Sequence, residues 1–335
     1  MAADTASNAP LTRAHDDVAD PGRRRMLTAS ALGAAAAAAP LASGRAAAQS
    51  RDDGAKRKEL TGKTAFITGG ARGLGLATAE ELARAGADIA LFDVATPTLA
   101  NVQYPLSSER DLAQAKARVE ALGARCLTVK GDVRDVDAQA KAMGQAVERF
   151  GGLDVVVANA GVSQAGAIED FSSDEISTVF EINAAGAIKT TQAAAQYMRP
   201  QNSGRIIYMA SALGRMGNEL FPVYASTKWA MIGVAKSAAL SFGRYNILCN
   251  TVAPGLARTP LADNEFILRK MMPNVAHPTF DMLSERLRPG NPISVGHVEP
   301  IDVAKAVMFF AGDAASKITG EVLDVSYGSL ARSIA

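Results

Sequence analysis

Cysteine and histidine are scarce in this chain, with two cysteines and three histidines in 335 residues. A disulfide scaffold and the usual paired-ligand zinc modules each need more such residues at closer spacing, so both are excluded and no metal is expected. Cys126 and Cys249 fall in apolar runs that read as strands on opposite flanks of a sheet, too distant to bridge, and both read as buried thiols. His15, His277 and His297 form no cluster, and His277 reads as a surface residue. Charge of one sign is also lacking: the formal net charge is +1, which leaves no electrostatic footprint for nucleic acid. Repeats, heptad runs and a convincing membrane-spanning stretch are absent. What remains, with 48% hydrophobic residues, suits one large α/β domain.

Short apolar runs near 64–68, 88–93, 125–130, 153–159, 204–210, 246–252 and 321–325 alternate with helical patterns. This alternation predicts a doubly wound, mostly parallel sheet with ligands at the carboxyl ends of its strands. In the run 222–242, Tyr224 and Lys228 stand at i and i+4, hence on one face of a helix. Ser211 ends the preceding strand, thirteen residues before Tyr224, and can point at the phenol. A free phenol titrates near pH 10 and is a poor base at neutrality unless a positive charge stabilises its phenolate. Lys228, with a bound nicotinamide cation, would supply that charge. Tyr224 could then take a hydroxyl proton while Ser211 holds the reacting oxygen.

Thr64–Thr68 reads as a buried strand, Gly69 to Gly75 as a glycine turn that includes Arg72, Gly73 and Leu74, and Leu76–Ala85 as an amphipathic helix. Glycines let a backbone bend close to phosphates, whose charge meets the first amides of the helix. Asp93 ends the second strand eighteen residues beyond Gly75, where a carboxylate can bind ribose hydroxyls and repel a 2′-phosphate. This favours NAD over NADP. Arg72, basic and beside the turn, is the one residue that would favour a 2′-phosphate.

Taken together these motifs resemble the short-chain dehydrogenase/reductase family over about Leu60 to Val325. Thr68-Gly-x-x-x-Gly73-x-Gly75 is similar to that family's cofactor loop, and Gly131-Asp132-Val133 to its adenine-contacting residues. Asn159-Ala160-Gly161 resembles its Asn-Ala-Gly turn. Pro254-Gly255-Leu256-Ala257-Arg258-Thr259 resembles its segment beside the nicotinamide, with Ala257 where a branched aliphatic is usual. The resemblance implies a Rossmann fold with strand order 3-2-1-4-5-6-7 and an NAD-dependent alcohol dehydrogenase. It also implies a catalytic set of Asn183, Ser211, Tyr224 and Lys228, with Asn183 holding a relay water, and a homotetramer built on the helices after strands four and five and on the last helix and strand. A silent NAD-binding sensor or scaffold, or a dehydratase or epimerase, are the alternatives.

The first 57 residues are rich in alanine and lack apolar periodicity. Arg23-Arg24-Arg25-Met26-Leu27, the mildly hydrophobic stretch Ala29–Leu41 and then Arg45-Ala46-Ala47-Ala48-Gln49 resemble a twin-arginine export signal with cleavage near Gln49. The expected organisation is a leader over 1–48, a linker over 49–59 and the enzyme domain over 60–335. Partnership with the twin-arginine export machinery and a periplasmic location follow; a cytoplasmic chain with an alanine-rich extension is the alternative.

Two insertions bear on substrate. Residues 95–108, with Tyr104 and Pro105, lengthen the link after Asp93 and lead into a helix that continues to Leu122, a feature similar to carveol-dehydrogenase-like members of the family. Its place in the chain puts it nearer the adenosine than the reacting carbon. Residues 261–296, within a lid over about 258–296, carry Met271, Met272 and Met282 with Phe266 and Phe280, and read as a mobile apolar cover. Ser163, Leu213 and Phe221 are the expected substrate-pocket residues, and an apolar or alicyclic alcohol or ketone the expected substrate.

Overall fold

A computed structural model describes residues 58–331. The leader and most of the linker, with His15, lie outside the described residues. Seven strands alternate with helices: β1 (Thr64–Thr68), α1 (Gly73–Arg84), β2 (Asp88–Asp93), α2 (Glu109–Glu120), β3 (Cys126–Lys130), α3 (Val136–Phe150) and β4 (Val155–Ala158) form the first half. The second half runs α4 (Ser173–Phe180), α5 (Gly186–Gln201), β5 (Gly204–Met209), α6 (Pro222–Phe242), β6 (Ile247–Pro254), α7 (Glu265–Met271), α8 (Phe280–Leu287), α9 (Pro300–Ala311) and β7 (Val322–Val325). All pairings are parallel in the order β3-β2-β1-β4-β5-β6-β7, as the motifs implied.

Strand alternation sorts the core into two layers. Ile67, Leu91, Val157, Ile207 and Val252 face α1, α2 and α9, which contribute Leu82, Val119 and Phe310. Their neighbours Phe66, Phe92, Val156, Ile206 and Cys249 face α3, α5 and α6, which contribute Met143, Met198 and Met231. Burial on both sides explains why these strands read as unbroken apolar runs. Cys126 and Cys249 are free, buried and separated by the four strands between β3 and β6. No helix among the described residues is long and apolar enough to cross a membrane.

Local chemistry sets the ends of the elements. Ser108 and Asp111 form a reciprocal capping box that starts α2 at Glu109, and Gly151, at φ 99°, ends α3 in the left-handed region. Helix α1 begins at Gly73, three residues ahead of the expected Leu76, because glycines carry no periodicity to read. Between α4 and α5 the turn Glu181–Ala185 widens into π geometry, and it carries Asn183. The chain reverses its direction of travel across the sheet between β1 and β4. A crevice opens at their carboxyl ends, where the segments after β1, β2, β4, β5 and β6 gather.

Candidate active site

A cavity of about 470 Å³ occupies this crevice. Of the expected site residues, Gly69, Arg72, Gly73, Leu74, Asp93, Asp132, Val133, Asn159, Ala160, Gly161, Ser163, Ser211, Leu213, Phe221, Tyr224, Lys228, Pro254, Gly255, Ala257 and Thr259 line it. Gly75 and Asn183 stand one layer behind.

The turn after β1 is built on absent side chains. A Cβ at Gly75 would lie 2.1 Å from the Gly69 carbonyl oxygen and 2.7 Å from Asn159 Nδ2, and Gly69 itself adopts φ +66°. Asn159 ties this turn to β4: its Nδ2 donates to the carbonyls of Thr68 (2.9 Å) and Gly69 (3.1 Å). The Thr68 hydroxyl in turn accepts the amides of Asn159 (3.0 Å) and Ala160 (3.1 Å). Thr259 closes the far side, packing where a Cβ on Gly73 would point. The first turn of α1 has no capping side chain and no acidic residue, so its amides and the positive end of its dipole are available to an anion.

Asp93 is 5% exposed and organises the neighbouring loops. Its Oδ2 accepts the Ala71 amide at 2.9 Å, and its Oδ1 accepts the Ala95 amide at 3.1 Å and the Ser107 hydroxyl. A carboxylate has about four acceptor positions, so one ribose hydroxyl can still be received. Arg72 does not reach free into the crevice: its Nη2 donates to the Pro105 carbonyl at 2.6 Å, and burial holds its guanidinium below the ordinary value. Asp132 is gripped by Arg134, with Nε and Nη2 bonds of 2.9 and 2.5 Å to Oδ2. Burial works against the Asp132 charge, yet these bonds outweigh it and keep the carboxyl below its usual range. Val133 lies beside it, its carbonyl held by Gln139 Nε2 at 2.7 Å.

Ser211, Tyr224 and Lys228 meet near the end of β5. The Ser211 hydroxyl works to lower the pKa of the Tyr224 phenol and accepts the Leu213 amide at 3.2 Å. Lys228 is 3% exposed, and its Nζ donates to the Met209 carbonyl at 2.7 Å and lies 5.4 Å from the centre of the Tyr224 ring. The expectation that the Lys228 charge lowers the phenol's pKa is not met by the chain alone. Burial pushes Tyr224 up to about 12 and Lys228 down to about 7, because a dry wall disfavours either charged form. Asn183 is fully buried, its Oδ1 accepting the Val162 amide at 2.8 Å and its Nδ2 donating to the Val162 carbonyl (2.9 Å) and to Thr227 Oγ1 (3.0 Å). Its side chain therefore locks the β4 loop to α6, with both Nδ2 protons engaged and one Oδ1 lone pair unused.

The insertion of residues 95–108 departs from its expected place. Its end does lie by Asp93, through Ser107, but Tyr104 turns inward and its Oη accepts the Ser163 amide at 2.8 Å. Burial first, and then the nearby Tyr224, push the Tyr104 phenol well above its ordinary value. The lid supplies Ile267 and Met271, which pack with Leu213, Phe221 and Tyr224. Tyr327, after β7, lines the cavity too: it adopts φ 48° and its Oη accepts the Leu256 amide at 3.1 Å. Sequence reading did not name Tyr104, Ile267 or Tyr327 as site residues, and it placed Met271 in the apolar lid. Tyr104 left a signal, as the one aromatic of the 95–108 insertion. His277 is exposed, as expected.

Comparison with known proteins agrees with this geometry. Residues 63–267 match the family model described as short chain dehydrogenase. The (-)-trans-carveol dehydrogenase of Rhodococcus erythropolis is 30% identical over 81% of this chain and 98% of that protein. An uncharacterized NAD-dependent oxidoreductase of Mycobacterium tuberculosis is 31% identical over 82% of this chain and 98% of its own length. The crystal structure of carveol dehydrogenase from Mycobacterium avium in complex with NAD superposes with a TM-score of 0.79, at 32% identity, over 82% of this chain and 99% of that one.

Proposed function

The chain belongs to the short-chain dehydrogenase family, and on that premise we propose that it interconverts a secondary alcohol and its ketone with NAD as the hydride carrier. The observation that carries the reading is the opening of the glycine turn and of Ser211, Tyr224 and Lys228 into one cavity. The residues present fit the cofactor: an uncapped first turn of α1 for the pyrophosphate, a glycine cradle that a Cβ would fill, and Asp93 for the ribose. The names of the relatives support NAD as well. Asp93 disfavours a 2′-phosphate, and Arg72, the one cation that argued for NADP, already donates to the Pro105 carbonyl.

When bound, the nicotinamide supplies the site that accepts or returns hydride and, oxidised, a positive charge. The Ser211 hydroxyl orients the reacting oxygen, and Tyr224 exchanges a proton with it: the phenol is donor in ketone reduction and the phenolate acceptor in alcohol oxidation. Lys228, buried behind the phenol, adds a positive charge when protonated, and Asn183 holds the β4 loop against α6. Leu213, Phe221, Ile267 and Met271 wall the approach with apolar surface, which supports an apolar or alicyclic substrate. The same proposal includes a homotetramer, a twin-arginine leader over 1–48 and a periplasmic location.

Replacing Tyr224 with phenylalanine tests the proton route. Turnover of secondary alcohols, followed at 340 nm, should fall by about 100-fold or more with NAD binding retained. Undiminished turnover would refute the assignment.

A further inference from the structure

The cavity wall carries a second polar point that the proton-handling set does not use. Tyr104 and Ser163 are 5% and 2% exposed, and both line the cavity. The Tyr104 oxygen accepts the Ser163 amide, which leaves its O–H proton without an acceptor among the described residues. The Ser163 hydroxyl likewise makes no hydrogen bond there, although its backbone is held. Both residues open onto the cavity, and a hydroxyl stripped of water there by a ligand that offers no replacement partner loses about 1–3 kcal/mol. Their surroundings are otherwise apolar, with Leu99, Leu106, Leu213 and Ile267 in the same wall.

The placement is deliberate in the folded chain rather than incidental to a floppy loop. Asn101 Nδ2 donates to Thr178 Oγ1 at 3.0 Å, Gln103 Nε2 to Glu175 at 2.8 Å, Gln164 Nε2 to the Asn101 carbonyl, and Arg72 to the Pro105 carbonyl on the other side of Tyr104. The insertion is thereby pinned on both sides of the phenol. Tyr104 is also close enough to Tyr224 for the second phenol to influence its ionisation, and since burial keeps it protonated it can act as a donor at any working pH.

We propose that Tyr104 and Ser163 form a polar subsite that receives a second oxygen of the substrate, a hydroxyl or carbonyl remote from the reacting carbon. The Tyr104 O–H donates to that oxygen, and the Ser163 hydroxyl donates to it or accepts from it. The substrate class is then an alicyclic diol, hydroxyketone or diketone rather than a simple alicyclic alcohol. This rests on the alcohol–ketone reading above and narrows it.

The test compares NAD-dependent oxidation of cyclohexanol with that of the 1,2-, 1,3- and 1,4-cyclohexanediols, for the wild-type protein and for Tyr104→Phe and Ser163→Ala. The wild type should show a higher kcat/KM on at least one diol than on cyclohexanol. Each variant should lower that diol-to-cyclohexanol ratio, Tyr104→Phe by about tenfold, because a site built to bond an oxygen discriminates through the group left unpaired. Tyr104→Phe keeps the ring, and Ser163→Ala leaves the ring and the insertion untouched, so a folding defect in one does not remove the test. A ratio unaltered in both variants, or a rise in KM for NAD with both alcohol types affected alike, overturns the subsite; the latter assigns these hydroxyls to the cofactor. A wild type active on every alcohol without preference sinks the subsite alone. A wild type with NAD bound but inactive on all of them sinks the alcohol reading, and the subsite with it.

Discussion

Removing the Lys228 amine should make the cofactor-free protein more stable, by an amount that shrinks as pH rises. Lys228 is 3% exposed, and burial lowers its pKa from 10.5 to about 7. Between those values the unfolded chain holds a proton on Lys228 that the folded chain does not. Wild-type stability therefore gains about 1.4 kcal/mol per pH unit from this group across that window. Below pH 7 both states are protonated, and the folded state bears the whole cost of a buried charge, about 5 kcal/mol. Lys228→Met keeps the length of the stem without the charge. It also leaves the Met209 carbonyl, now bonded at 2.7 Å, without its donor, a loss of about 1–3 kcal/mol that does not vary with pH. The net expectation is a variant more stable by roughly 2–4 kcal/mol at pH 6.5, with the advantage falling by about 3 kcal/mol between pH 7.5 and 9.5. Urea unfolding of both proteins across that range measures it directly, and the other titrating groups cancel in the difference. A difference that is constant with pH would refute the claim that burial governs this lysine, whichever protein proved the more stable.

Two further outcomes follow from the geometry around the glycine turn. Gly75→Ala puts a methyl 2.1 Å from a backbone oxygen, too close for any rotamer to relieve, so α1 must move away from β1 by about 1 Å. Thermal unfolding should show a loss of about 3 kcal/mol or more and NAD binding should be abolished; a variant with wild-type melting and NAD affinity would show the cradle to be slack. Asp93→Ala should relax the preference for NAD over NADP and, because the Ala71 amide loses its acceptor, cost about 1–3 kcal/mol in the same melt. An unchanged ratio of NAD to NADP activity would mean that the carboxylate only builds the loop.

The motifs were legible wherever function is written in the local backbone. Gly69 needs a left-handed φ, Gly75 needs the absence of a side chain, and Tyr224 and Lys228 share a face because α6 is a helix from Pro222 to Phe242. Residues that act through a neighbour distant in sequence were not legible. Asn183 read as a relay residue, and its amide also ties Val162 to Thr227, which no spacing rule announces. The insertion read as an adenosine-side feature because it follows Asp93, and only its folded path carries Tyr104 to Ser163, 59 residues further on.

The amino-acid sequence by itself determined the strand and helix pattern, the place of the glycine turn, the acid at the end of β2 and the shared helix face of Tyr224 and Lys228. Each depends on period, glycine or spacing, which act over a few residues. Tertiary structure alone decided the ionisation of Tyr224 and Lys228, the hydrogen bonds that engage Arg72 and Asp132, and the second phenol in the cavity wall. Those properties arise from desolvation and from contacts between distant segments, and neither exists until the sheet has closed and water has left the crevice.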